Sequence, residues 1–455
     1  MAPMQIKRID LKRFNALAAH TRSPAAAYAS QELDWFANED ESLIATLLLD
    51  TVDNDYVGVI LGRDEGGRFR CIDVEASIPT KDDAAAWIQR AIAWHGRDQQ
   101  RVFPQGDKSK PLDLFTPVVS YEKMHPSFAK LCQSDAFVPA RRQIAEIMPH
   151  YVDVDGNFIE QFQTTGFDAR LWELFLHSYL VEEQLFLDRE HDRPDFLVTK
   201  YGESVAIEAT IVGRRADRPV SYFKVAPSIP ESENEVKRRH ENEIPIRFGS
   251  PLFTKLRKRY WELDHVKGLP LVFAIADFHD DQSMTWTSTA LINYLYGVKH
   301  DFHFDDNGQL VITPLKIEKH KVGNKEIPSG FFFQPDAENI SAVLFSASGT
   351  ISKFNRMGRQ AGFKVPGLVM IRVGTHHDHD PNAHLPRPFK YVVDENSNET
   401  WAEGVSMFHN PSALRPVPRE LFPSIAHHTF KDGQIHSVLP EFHPYASFTL
   451  NLIAK

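Results

Sequence analysis

Residues 193–212, RPDFLVTKYGESVAIEATIV, constrain the fold more than any other stretch. A Pro-Asp opens a short apolar run, Tyr201-Gly202 supplies a turn, and a second apolar run carries Glu208 at its centre. Glycine tolerates positive φ, so the stretch reads as a β-hairpin with a two-residue tip. That register sets Asp195 opposite Glu208, on one face, with Cβ atoms about 5 Å apart. Thr210 shares this face because strand side chains alternate, while Ile207, Ala209 and Ile211 form the other, apolar face. A slip of one residue would part the two acids. Carboxylates so close repel, and each raises the pKa of the other unless a cation lies between them. A hard divalent ion fits that role: Mg²⁺ takes one or two carboxylates and completes its shell with carbonyls, water or substrate phosphate. The Ala209 carbonyl is a further candidate ligand. The competing reading is a half-exposed hairpin whose acids face water or pair with Arg214 and Arg215.

The flanks give the hairpin a setting. A helix is expected over about 168–186, DARLWELFLHSYLVEEQLF, with Leu171, Trp172, Phe175, Leu176, Tyr179 and Leu180 on its apolar face. Glu173 sits at the border of that face and is a candidate third carboxylate. After a long polar connection (213–248), SPLFTKLRKRYWELDHV predicts a second helix with Ser250 as N-cap and Pro251 in the first turn. The apolar run LPLVFAIADF then reads as a buried strand. Helix, hairpin, helix and strand together predict an α/β arrangement on a mixed sheet.

A helix carboxylate, a Pro-Asp opening a strand, a turn, and a Glu inside VAIEAT: this order resembles the PD-(D/E)xK, or restriction-endonuclease-like, nuclease superfamily. The resemblance spans roughly 165–280 and rests on a short, degenerate motif. It implies an αβββαβ core, and one or two Mg²⁺ (or Mn²⁺) ions serving phosphodiester hydrolysis. Asp195 matches the motif Asp, Glu208 the first residue of the (D/E)xK element, and Glu173 the auxiliary helix carboxylate. All three are the implied metal ligands. Thr210 stands where the motif has Lys. Some members of the superfamily supply that cation from a neighbouring helix, which makes Lys255, in the expected first turn of the 250–265 helix, the first candidate and Lys258 the second. The implied function is a metal-dependent nuclease acting on DNA ahead of RNA, with defence against foreign DNA as an analogy drawn from the fold. The alternative is a catalytically inactive, nuclease-like protein serving nucleic-acid binding or assembly. The stretch DGNFIEQFQTTGFDARLWELFL also resembles large uncharacterised bacterial proteins, which implies no activity.

The rest of the chain supplies boundaries. With 455 residues, more than one core is expected. The predicted division is an α+β region at 1–140, the nuclease-like core at 141–300, and a strand-rich region at 301–455 that extends the core sheet or stands beside it. Three strand-like runs between Ser42 and Ala76 and a helix KDDAAAWIQRAIAWHG mark the first region. A net charge of −10 argues against broad nucleic-acid affinity but permits a local basic groove, for which VKRRH (236–240) and TKLRKRY (254–260) are the candidates. There is no long apolar leader and no run of about 18 uncharged apolar residues, so a cytoplasmic chain without membrane contact is expected. Cys71 and Cys132 build neither a disulfide framework nor a thiolate zinc site. A homodimer stays open.

Three other stretches carry weaker signals. THHDHDPNAH (375–384) offers His376, His377, His379 and His384 to a transition metal, but reads better as a polar loop. SASGTISKFNRMGRQ (346–360) is not a P-loop; its Lys353, Arg356 and Arg359 are weighed as phosphate contacts against an ordinary capped loop. DVDGNF (153–158) lacks calcium-loop spacing and reads as a turn.

Overall fold

The computed structural model describes residues 5–453 apart from 99, 107–112, 155 and 215–231. Its first unit is an antiparallel meander: β1 (Ile6–Ile9), β2 (Ser30–Asn38), β3 (Leu43–Asp50), β4 (Tyr56–Arg63) and β5 (Phe69–Ile78), in that spatial order. The three runs expected from the sequence are β3 to β5. Helix α1 (Lys81–Gly96) starts where the Thr80 hydroxyl accepts the Asp83 N–H, and it lays Ile88 and Ile92 on the sheet. Gly58 of β4 permits this contact, since a Cβ there would stand 2.5 Å from the Trp87 ring.

A second sheet of eight strands holds the hairpin. It contains β6 (Phe186–Asp188), β7 (Phe196–Lys200), β8 (Glu203–Val212) and β9 (Leu271–Asp277). The antiparallel hairpins β10 (Val298–Phe304) with β11 (Leu310–Lys316), and β12 (Lys319–Val322) with β13 (Lys325–Pro328), stand outside it. The chain returns as β14 (Ala342–Ser346). Strands β15 (Leu368–His376) and β16 (Arg387–Val392) belong to a separate sheet, which β20 (Pro444–Ile453) completes. Strands β17 (Val405–His409), β18 (Ala426–Lys431) and β19 (Gln434–Val438) finish the large sheet, whose order is β19-β18-β17-β14-β9-β8-β7-β6. Strands β8, β9 and β14 run parallel, and β7 pairs antiparallel with β8. The protein is therefore mixed α/β, with C-terminal strands joined to the sheet that carries the hairpin.

Two helical layers cover this sheet. Helix α2 (Phe167–Glu182) packs on the face made by Val205, Ile207 and Ala209, and its middle is buried all round, Trp172 included. Helix α3 (Ile244–Leu256) packs on the opposite face with Ala206, Val212, Phe273 and Ile275. By alternation Glu208 belongs to the α3 side. The expected start of this helix at Ser250 is corrected. Pro245 is the second residue of α3, directly after a π turn, so Ser250 and Pro251 lie inside the helix. Lys255 consequently sits in the last turn rather than the first. A π turn at Arg239–Glu243 joins α3 to a short helix at Glu233–Arg238, so the VKRRH cluster belongs to the same helical rod. Among the described residues no helix is long and apolar enough to cross a membrane.

Candidate active site

The hairpin turns at Tyr201 (φ 55) and Gly202 (φ 82), the two positive φ values of a tight two-residue turn. Lys200 pairs with Glu203 and Phe196 with Ile207, so continuing the register places Asp195 beside Glu208. Asp195 lies just before β7, where its Oδ2 accepts the Ala209 N–H at 2.7 Å. That bond clamps the acid to the strand bearing Glu208.

Glu208 is 4% exposed, far from a solvated hairpin edge. Its two oxygens differ. Oε1 accepts the Lys255 ammonium and, at 2.5 Å, the Tyr260 hydroxyl. Oε2 is buried and has no hydrogen-bond partner among the described residues. Burial, then the Glu208 and Glu173 charges, push the Asp195 carboxyl up to about 8, against the opposing pull of Lys255 and the Ala209 N–H. Burial and the Glu208 carboxylate also raise the Tyr260 phenol, keeping it a donor. Arg214 does not compensate these acids; it pairs with Asp168 at 3.4 Å and Asp281 at 2.7 Å. Arg215 lies outside the described residues. Lys258 is exposed, with its ammonium over the Tyr260 ring, leaving Lys255 as the cation at the pair.

Glu173 arrives from the other layer. Its Oε2 accepts the Tyr151 hydroxyl at 2.9 Å and an Arg170 N–H at 2.8 Å. It reaches Asp195 through charge, yet among the described residues no group of three or more His, Cys, Asp or Glu is placed to hold a metal ion. The arrangement is a pair of acids with a nearby third, not a closed cage. A divalent ion fits the pair on two grounds: the orphaned Glu208 Oε2 lacks a partner, and an ion such as Mg²⁺ needs only one or two protein carboxylates.

The other sequence signals resolve differently. Residues Ile351–Gln360 form helix α4, and Lys353, Asn355 and Arg356 are buried in it. Lys353 and Arg356 bond Glu399 at 2.7 Å and Arg359 bonds Glu395 at 3.0 Å, so the cations weighed as phosphate contacts are in ion pairs, on a helix rather than a capped loop. In the histidine stretch, His377 Nδ1 lies 2.8 Å from the Tyr445 hydroxyl and His379 Nε2 lies 2.9 Å from the Glu441 carbonyl. Asp153 accepts the Gly156 and Phe158 N–H groups at 3.0 Å, as in a turn; Asp155 is outside the described residues.

Sequence reasoning missed Tyr260, Tyr151 and Arg170. Tyr260 had a visible signal, an aromatic hydroxyl ending the basic TKLRKRY run. It also missed Asp277 and His279, whose Oδ1 and Nδ1 meet at 2.7 Å just past β9. An acid and a His directly after a buried strand would have pointed there. The chain matches no protein-family model, and no curated protein or solved structure gives a significant match.

Proposed function

We propose that the protein is a divalent-metal-dependent nuclease hydrolysing phosphodiester bonds, with DNA as substrate, on a restriction-endonuclease-like core. The observation that carries this reading is the asymmetry of Glu208: one oxygen held by Lys255 and Tyr260, the other buried and unpartnered beside Asp195. The order α2-β6-β7-β8-α3-β9, with β8 and β9 parallel, supports the core assignment.

Asp195 and Glu208 would hold the ion, with Glu173 near enough to act through charge. A bound Mg²⁺ or Mn²⁺ supplies Lewis acidity at the phosphoryl oxygen and acidifies a bound water. Lys255 places a positive charge where the transferring phosphoryl group gains negative charge, the role that the motif Lys has elsewhere. Tyr260 fixes the rotamer of Glu208. The Ala209 N–H fixes Asp195. Such preorganisation removes the cost of orienting the acids during reaction.

The test is cleavage of plasmid and single-stranded DNA with Mg²⁺ or Mn²⁺ by the native chain and by Asp195→Ala and Glu208→Ala. Activity lost in both folded variants supports the site; cleavage retained in either rejects it. The second reading, a catalytically silent binding protein, draws on Thr210 at the motif Lys position and on Lys255 already neutralising Glu208. DNA binding without cleavage under every divalent ion would favour it.

A further inference from the structure

The polarity of the sheet β16-β15-β20 is inverted. In an antiparallel sheet with one solvated face, apolar side chains ordinarily point inward and polar ones outward. Here the inward side chains of β20 are Ser447, Thr449 and Asn451. They accept, in that order, from Arg372 Nε at 3.1 Å, Arg356 Nη1 at 2.8 Å and Asn355 Nδ2 at 3.4 Å. The alternate residues Phe448, Leu450 and Leu452 point outward, opposite Val373, Ile371 and Val369 of β15. Val392 of β16, also opposite Ile371, continues the row. Phe448, Leu450, Leu452, Val369 and Val392 are each between 44% and 54% exposed.

We propose that this outward face is a homodimer interface, on which the same sheet of a second copy of the chain packs across a two-fold axis. A lone exposed leucine needs no cause, but a contiguous apolar row across three strands does. Charge selects the occupant. The chain carries a net charge of −10, so two copies repel over most of their surface. Among the outward residues of β15, β16 and β20 the only charged one is Lys390, opposite Val373. Two such faces meet without opposed carboxylates, and each presents the apolar surface that the other has to cover. Area agrees. The nine residues of β15 and the spacing of three strands give the face about 30 by 14 Å, or about 400 Å². A stable interface buries about 800 Å² per partner, apolar at its centre and polar at its rim. The face supplies that centre, and the loops around it supply the rim. Facing sheets pack about 10 Å apart with their strands within about 30°. The face lies on a different sheet from Asp195 and Glu208, so pairing through it does not depend on what those acids bind.

The experiment reads the mass of the full chain by sedimentation equilibrium over a range of concentrations, with the thermal unfolding midpoint followed over the same range. The variants are Leu450→Glu, Val369→Glu and Leu450→Thr, with Val52→Glu as the control, at a turn position 76% exposed. The native chain is expected at twice the chain mass, with a midpoint that rises with concentration. Leu450→Glu and Val369→Glu are expected as single chains with a fixed midpoint, because a two-fold interface meets each new carboxylate twice. Leu450→Thr keeps a β-branched residue on the strand but removes apolar area from both copies, and raises the dissociation constant by about tenfold or more. Val52→Glu retains the native mass. Should the glutamates disturb the circular dichroism of the fold, Leu450→Thr decides alone. A native chain that stays single at every concentration overturns the interface. So does a dimer that the folded variants leave intact, or one that Val52→Glu dissociates equally.

Discussion

Lys255, in the last turn of α3, donates to Oε1 of Glu208 on β8 across 47 residues of sequence. On the proposed nuclease reading, the cation that the motif would set at Thr210 is thus delivered by a helix. Lys255→Ala is expected to lower cleavage by about 10²–10³-fold, the usual loss for one donor aimed at developing charge. Thr210 and Lys255 line the same cleft, so adding Thr210→Lys to that variant is expected to return part of the rate. Turnover unchanged in Lys255→Ala rejects the assignment.

Tyr260 holds the same oxygen. Tyr260→Phe removes one hydrogen bond to a buried carboxylate, which is worth about 1.5–3 kcal/mol of stability. Urea unfolding reads that loss. The looser Glu208 is also expected to weaken Mg²⁺ binding, measured calorimetrically; affinity equal to the native chain's would remove Tyr260 from the positioning role.

The pH dependence of stability follows from Asp195. Its carboxyl is pushed up to about 8, above the value of about 3.9 in an unfolded chain. Between those values the native state holds the extra proton, so its contribution to stability is complete below about pH 4 and lost as pH rises through 8. In EDTA, Asp195→Asn is expected to gain on the native chain steadily over that range. A stability difference independent of pH would refute the shift. With Mg²⁺ at about a hundred times its Kd, the native chain gains about 2.7 kcal/mol, while Asp195→Asn gains little.

Away from the site, Glu399 neutralises Lys353 and Arg356 and lies 3.5 Å from Arg372, all four side chains buried. Glu399→Gln strands buried positive charge, at a cost of about 3–5 kcal/mol in denaturant unfolding. A loss below about 1 kcal/mol would show that the cluster relaxes into water.

The hairpin was legible because its determinants are local: a Tyr-Gly tip pins the register, and alternation then places Asp195, Glu208 and Thr210 on one face. The start of α3 was not, because two prolines, Pro245 and Pro251, both suit a first turn and only packing of Ile244 and Phe248 decides between them. The fate of Lys353 and Arg356 was hidden for a different reason. Their partner Glu399 is more than forty residues away, and a basic stretch after a strand reads as a loop until that acid is placed. Glu173 was named as a candidate from the sequence, but its bonds to Tyr151 and Arg170 depend on how the preceding segment folds back.

The distances along the chain also set an order of assembly. The clasp between Asp195 and Ala209 spans 14 residues, whereas Lys255 must return over 47 to reach Glu208. Closing the shorter loop costs less entropy and happens sooner. Without the lysine, burial and the Glu208 charge favour the protonated form of Asp195, so the docking of α3 and the loss of that proton are linked.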